Sequence, residues 1–286
     1  MITATSEAVT SDDGTTIGYR QFGKGPGVVL LHGSMSSSYN HIQLAVALAN
    51  DFTVCIPDRR GRGMSGPYRE DHSVETDVDD LAAVLEATGA HSVFGCSSGA
   101  IILLEAALAL PSIRRAVIFE PPVFIDGRVP TAILTRFDRA MADGNVAGAL
   151  VAGMKGAKMA PPVFNVLPSK VLEPLVKLAM AQEEKRGTNG YVPMRELAPT
   201  LHYDFQLVAE TSGALERYRA ISADVLLLGG SKSPAYLNRA LDTLEKVLPG
   251  AKRVELSGVG HAAAWNADRG GQPALVAHEL RRFFSE

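Results

Sequence analysis

The sequence predicts an α/β protein whose mostly parallel sheet is covered by helices on both faces and interrupted late in the chain by a helical insertion. Three observations carry this. Short, mostly apolar runs recur, among them Val28–Leu31, Phe52–Ile56 and Arg115–Phe119, as suits strands buried on both faces. Between them lie stretches of helical periodicity, such as Val74, Val78, Leu81, Val84 and Leu85, and strands alternating with helices imply parallel pairing. The rhythm then stops. From 125 to 210 no buried strand pattern occurs, only helical segments at 131–142, 145–153, 168–185 and 194–210, punctuated by Pro161-Pro162, Pro168 and Gly187-Thr188-Asn189-Gly190.

The elements follow in order. Residues 7–20 alternate polar and apolar around Asp13-Gly14, a hairpin signal. The strand Val28–Leu31 ends in His32-Gly33-Ser34, followed by Met35 and a serine cluster. A helix over 42–49 leads to the strand Phe52–Ile56, which stops at Pro57-Asp58 and a glycine-rich loop ending at Gly66. That loop lacks the order of a phosphate-binding loop and opens into no helix, so it reads as a structural turn. An amphipathic helix over 73–88 delivers the chain to a strand within His91–Cys96, then to an apolar helix that Pro111 closes. The strand Arg115–Phe119 runs into Glu120-Pro121-Pro122. After the insertion come a strand at Asp224–Leu228, a helix over 235–248, a strand at Lys252–Leu256 and a C-terminal helix from 272.

Composition narrows the function classes. A chain of 286 residues suits one large domain, or a domain carrying an inserted module, and can bury a core without a metal or disulfide staple. A net charge of −3 with no Lys/Arg block argues against nucleic acid as a partner. Cys55 and Cys96 show no zinc or redox spacing. No basic region followed by an apolar core opens the chain, and Glu105 breaks the longest apolar run before it could span a bilayer. These readings lead us to expect a cytoplasmic protein with no membrane partner.

The chemistry centres on Gly95-Cys96-Ser97-Ser98-Gly99. A G-x-S-x-G pattern between a buried strand and a helix lifts the central serine to the apex of a strained turn. The flanking glycines fit because the chain doubles back on itself there. A neutral hydroxyl needs a base to take its proton as it attacks. His261, in the glycine-flanked Ser257–His261 loop after the last strand, lies at the same sheet edge and can accept and return a proton near neutral pH. His32 is expected only to shape its loop. No cofactor and no metal is called for.

With Leu31-His32-Gly33-Ser34, the Asp58–Ser65 stretch, the elbow at Ser97 and His261 in this order, the chain resembles the α/β-hydrolase superfamily over essentially its whole length, in the manner of a carboxylesterase-like serine hydrolase. The resemblance implies an α/β-hydrolase fold: an eight-stranded, mostly parallel sheet with a cap inserted after the sixth strand. We therefore expect a hydrolase core over 1–124 and 211–286 and a helical cap over 125–210. It also implies an oxyanion hole built from the backbone N–H of Ser98 and that of Ser34 or Met35.

The family's usual acid, just after the seventh strand, is missing: Gly230-Ser231-Lys232-Ser233-Pro234 has serine at the expected position. Asp224 begins its strand at the wrong edge, and Asp242 lies inside a helix. Glu120 ends the next strand after the elbow at the right edge, with Pro121 holding it extended. Some relatives, including certain haloalkane dehalogenases, place their acid there. Glu120 is the expected triad acid, and Asp126 is the second choice. The expected function is serine hydrolysis of a small, ester-like and apolar substrate through an acyl-enzyme. The apolar cap residues Met154, Met159, Phe164, Leu172, Leu175, Leu178 and Met180 suggest the apolar substrate, with core packing the default reading for Met and Leu at helical spacing. A hydrolase-like ligand-binding protein with weakened catalysis stays open, as do perhydrolase, C–C hydrolase and lactonase chemistry. A homodimer is also left open.

Overall fold

The computed structural model describes residues 4–123, 131–157, 166–213 and 215–286. Its opening hairpin pairs β1 (Thr5–Thr10) with β2 (Thr16–Phe22) antiparallel, Val9 opposite Ile17. Gly14 turns the chain at φ 85°, a left-handed backbone that glycine adopts without a Cβ clash. Six further strands follow: β3 (Gly27–Leu31), β4 (Thr53–Pro57), β5 (Ser92–Cys96), β6 (Arg115–Phe119), β7 (Asp224–Gly230) and β8 (Lys252–Leu256). The sheet order is β1-β2-β4-β3-β5-β6-β7-β8. β2 meets β4 antiparallel, and every pair from β4 to β8 is parallel. The eight strands expected from the sequence are all present.

Among the described residues the helices are, in chain order, α1 (Ile42–Leu48), α2 (Val74–Thr88), α3 (Ser98–Ala109), α4 (Thr131–Ala142), α5 (Val146–Gly156), α6 (Ser169–Arg186), α7 (Met194–Leu197), α8 (Leu201–Glu210), α9 (Ala235–Val247) and α10 (Pro273–Phe284). The inner strands β3, β5, β6 and β7 are buried along most of their length because both faces are covered. In β6, Ala116 and Ile118 join the core under α2, α3 and α9. Val117 and Phe119 join the core under α1 and α10. β3, β5 and β7 divide their side chains the same way, with the period of two that a pleated strand imposes.

The helices α4 to α8 lie between β6 and β7 and have a small core of their own, including Phe137, Leu150, Met180 and Leu201. Met35, from the loop after β3, packs against it. The helix expected over 194–210 is divided: α7 and α8 are separated by a 3-10 turn at Ala198–Thr200. Pro199 accounts for the break, since it has no N–H to give the helix and crowds the preceding turn. In α6, Leu172, Val176 and Met180 recur at helical spacing and turn inward, with Leu172 and Met180 buried. Leu175 and Leu178 fall off that stripe and are more than half exposed, so they do not pack into this core. Asp126, Met159 and Phe164 lie outside the described residues. Among those described, no helix is long and apolar enough to cross a membrane.

Sheet order fixes where a site can form. The chain places β4 on one side of β3 and then β5 on the other. At such a switch point the loops leaving the carboxyl ends of the strands diverge and leave a crevice. The His32–Ser34 loop and the Ser97 turn both leave the sheet there.

Candidate active site

Ser97 follows β5 with φ 56° and ψ −124°, a conformation that L-residues rarely hold and that clusters at functional sites. Several contacts force it. The Ser97 N–H donates to Phe119 O on the neighbouring strand at 2.9 Å. A Cβ on Gly95 would lie 2.5 Å from Gly99 O, and one on Gly99 would lie 2.5 Å from His32 O. Gly33 approaches from the other side, where a Cβ would sit 2.7 Å from the Ser97 Cβ. Only glycine lets the two loops close on the serine. Cys96 points away into the core under α1 and α10. Burial, with a smaller contribution from the Glu120 charge, raises its thiol pKa, so it competes poorly as a nucleophile.

Glu120 follows β6 and is fully buried. Its backbone is not extended as expected from Pro121 but left-handed at φ 49°, which swings the side chain toward β7 and β8 instead of continuing the strand. The Gly230 N–H donates to Oε1 at 2.6 Å. The other oxygen, Oε2, lies 2.6 Å from His261 Nδ1. A buried carboxylate with both oxygens partnered can stay charged. By accepting from Nδ1–H it fixes the tautomer in which His261 Nε2 is free to take a proton. Gly230 tolerates no side chain there, since a Cβ would lie 2.5 Å from Val259 O in the loop that carries His261. Ser233, at the position where the acid is usual, is half-buried, with its hydroxyl oxygen buried and without a hydrogen-bond partner.

His32 is buried between loops. Nδ1 lies 2.9 Å from Gly33 O, and Nε2 accepts the Arg59 N–H at 3.1 Å. Burial, then the nearby Arg62 and Arg59 charges, holds its pKa well below the ordinary histidine value. It therefore stays neutral and ties the loop after β3 to the loop after β4, as expected of a loop-shaping residue.

That second loop is a structural turn, but its arginines do more than the sequence suggests. Asp58 accepts the Ser38 N–H at 2.6 Å and the Met64 N–H at 2.9 Å, closing the turn. Arg60, buried, clamps Asp80 through Nε at 2.6 Å and reaches Asp13 through Nη1 at 2.7 Å. Arg59 reaches both Ser98 Oγ, at 3.0 Å, and Asp204 on α8, at 2.8 Å. Ser98 Oγ is also 3.1 Å from Ser34 Oγ. Sequence reasoning did not single out Arg59, Arg62 or Asp204. Arginines placed directly after a buried strand were the available signal, because buried guanidinium groups must find carboxylates.

A shallow cleft between α5 and α6, bordered by Asp143, Asn145, Lys177 and Arg195, includes no residue of the elbow. Among the described residues, no group of three or more His, Cys, Asp or Glu side chains is placed to hold a metal ion.

Comparison with known proteins agrees with this architecture. An α/β-hydrolase from Sphaerobacter thermophilus superposes with a TM-score of 0.79 at 33% identity, covering 97% of this chain and 100% of that one. The 2-(acetamidomethylene)succinate hydrolase of Mesorhizobium japonicum is 24% identical over 258 residues, 86% of this chain and 85% of that protein. An uncharacterized hydrolase of Bacillus subtilis, YraK, is 35% identical over 117 residues, which span 39% of this chain and 43% of that protein. The model of the alpha/beta hydrolase family matches residues 28–279, and with that extent, this sheet and this elbow the chain belongs to the alpha/beta hydrolase family.

Proposed function

We propose that the protein is a serine hydrolase that cleaves an ester, or a related acyl bond, of a small apolar substrate through an acyl-enzyme. Ser97 attacks the carbonyl carbon while His261 Nε2 takes the hydroxyl proton. The tetrahedral intermediate then collapses, His261 gives that proton to the leaving alcohol, and water repeats the sequence in reverse roles to release the acid. Glu120 holds the His261 tautomer and stabilises its imidazolium. The backbone N–H groups of Ser98 and Ser34 receive the oxyanion. Ser98 sits at the first turn of α3, where the helix dipole adds to the effect. Ser34 is preferred to Met35 because it directly follows Gly33, which packs on Ser97, and because its hydroxyl meets that of Ser98.

The single observation that carries this reading is the contact of Glu120 Oε2 with His261 Nδ1 at 2.6 Å. It supplies the charge that Ser233 lacks, and so speaks against weakened catalysis. In this reading 125–210 is a cap over the core formed by 1–124 and 211–286, and its apolar side chains shape the acyl pocket. Both cysteines are free and buried, in keeping with work in the cytoplasm. The test is a series of nitrophenyl esters of graded chain length, with wild-type protein and Ser97→Ala side by side. Wild-type turnover absent from Ser97→Ala supports the proposal; turnover persisting in pure Ser97→Ala protein rejects it.

A further inference from the structure

The two residues assigned to the oxyanion hole are joined through their side chains. Ser98 is buried, and its hydroxyl accepts from Arg59 Nη1 at 3.0 Å while lying 3.1 Å from Ser34 Oγ. Arg59 is itself gripped. Nη1 also donates to Asp204 Oδ1 at 2.8 Å, and Arg62 Nη2 holds the other oxygen of that carboxylate at 2.6 Å. Asp77 Oδ1, on α2, lies 3.7 Å from Arg59 Nη2. The Arg59, Asp77 and Asp204 side chains are 2–3% exposed, and that of Arg62 is fully buried.

Such a cluster is an expensive way to join two elements. Burying ions is costly before their attraction is counted, and apolar packing often does as well. Arg59 is not even fully satisfied, since its Nε and Nη2 have no hydrogen-bond partner. Burial alone would raise the Asp204 pKa, but the Arg62 and Arg59 charges outweigh it and the net shift is downward, so the carboxylate stays ionised. The arrangement therefore aims one guanidinium N–H at one hydroxyl, beside the turn where negative charge develops in the reaction.

We infer that Arg59, held by Asp204, is a positioning residue for the oxyanion hole. It fixes the Ser98 hydroxyl and, through it, Ser34, so that the backbone N–H groups of both residues stay aimed at the carbonyl oxygen of the tetrahedral intermediate. Asp204 belongs to the helices between β6 and β7, so the docking of that segment is coupled to the preorganisation of the site. The inference rests on the proposed reading of Ser97, His261 and Glu120. It assigns Arg59 no contact with substrate.

Ser98→Ala and Ser34→Ala each remove one hydroxyl and keep the N–H, and they test the inference with little risk to folding. Arg59→Met and Asp204→Asn test the support behind them. Rates are measured per active site, titrated with a fluorophosphonate, on a nitrophenyl ester that the wild type hydrolyses. Ser98→Ala and Arg59→Met should each lower kcat by about 10- to 100-fold, the scale seen when a supporting shell is removed, with KM changed less than about twofold. The double variant should be little worse than either single one, because both remove the same restraint. Losses that multiply, or a lowered Tm with kcat per site unchanged, overturn the inference while the functional reading stands. If Arg59→Met fails to fold, the Ser98→Ala and Ser34→Ala pair decides by the same criterion. Wild-type protein that neither turns over esters nor takes the fluorophosphonate overturns the functional reading and this inference together.

Discussion

Glu120 Oε2 and His261 Nδ1 are 2.6 Å apart although 141 positions separate the two residues in sequence. β6 ends where β7 and the loop after β8 can both reach it, and the left-handed turn at Glu120 directs the carboxylate between them. Glu120→Gln should keep the shape and lose the charge, lowering kcat by about 10⁴-fold, as neutralising the acid does in other triads. KM should hold within a few-fold. Adding Ser233→Asp should recover part of the loss, because the buried, unpartnered Ser233 hydroxyl marks the alternative position for the acid. Steady-state kinetics on the single and double variants at fixed pH decides; Glu120→Gln with wild-type kcat would mean that another group orients His261.

The strained backbone at Ser97 predicts a trade of stability against function. With φ 56° and ψ −124°, Ser97→Gly should be more stable than wild type by about 1 kcal/mol, since glycine holds such angles without the penalty of a side chain. Turnover should vanish. Urea unfolding of Ser97→Gly beside Ser97→Ala checks this, because alanine removes the same hydroxyl and keeps the Cβ. Equal midpoints for the two variants would mean that the turn stores no strain.

Gly33 predicts a loss that is steric and local. A methyl group there would lie 2.7 Å from the Ser97 Cβ and 2.9 Å from Cys96 O, too close for any rotamer change to relieve. Gly33→Ala should fold but slow the reaction of Ser97 with a fluorophosphonate by at least about tenfold, on the scale of 10²-fold for a 1 Å displacement of a reacting group. Labelling rates at matched concentrations read this directly, and an unchanged rate would mean that the loop after β3 does not set the serine.

Two buried histidines predict the acid limb of the stability profile. His41 lies 2.9 Å through Nδ1 from Ala264 O, and its Nε2 is buried without a partner. Burial lowers its pKa from 6.5 to about 4, against a smaller opposing effect of that hydrogen bond. His32 is shifted in the same direction. Between the folded and unfolded pKa values the unfolded chain binds more protons, so stability is full above 6.5 and falls as pH drops toward 4. His41 alone accounts for roughly 3 kcal/mol of this at 1.36 kcal/mol per pKa unit. Urea midpoints at pH 7 and 4.5 should differ less in His41→Asn than in wild type, and an unchanged difference would mean that other groups set the acid limb.

Much of the framework could be read from the sequence because its cause is local. β6 and β7 are apolar from Ala116 and Val225 onward, since both faces of the sheet are covered. The bounds of β6 follow directly, whereas β7 runs two residues past the expected Leu228 to Gly230, because glycines add no apolar signal. Ser97 and His261 stand out because glycines lie beside them in the turns that follow β5 and β8. Glu120 emerged by elimination, from a serine at 233 where a charge was expected. The rest depends on contacts that no local pattern encodes. Arg59 and Asp204 are 145 positions apart, and nothing near either residue announces the other. Leu175 and Leu178 read as apolar cap residues until the angular position of Leu172, Val176 and Met180 shows which side of α6 is inward. Pro199 was visible in a helical stretch, but only the structure shows that the chain passes through a 3-10 turn there and resumes as α8.

The most direct test of the account is to catch the acyl group on its proposed acceptor. Wild-type protein is mixed with 4-nitrophenyl butyrate, quenched in acid within milliseconds to seconds, digested and analysed by peptide mass spectrometry. The account predicts a butyryl adduct on Ser97 that forms with the burst of nitrophenol, decays at the rate of turnover and is absent from Ser97→Ala. Steady nitrophenol release with Ser97 unmodified at every time point, or an adduct that appears equally in Ser97→Ala, would contradict it.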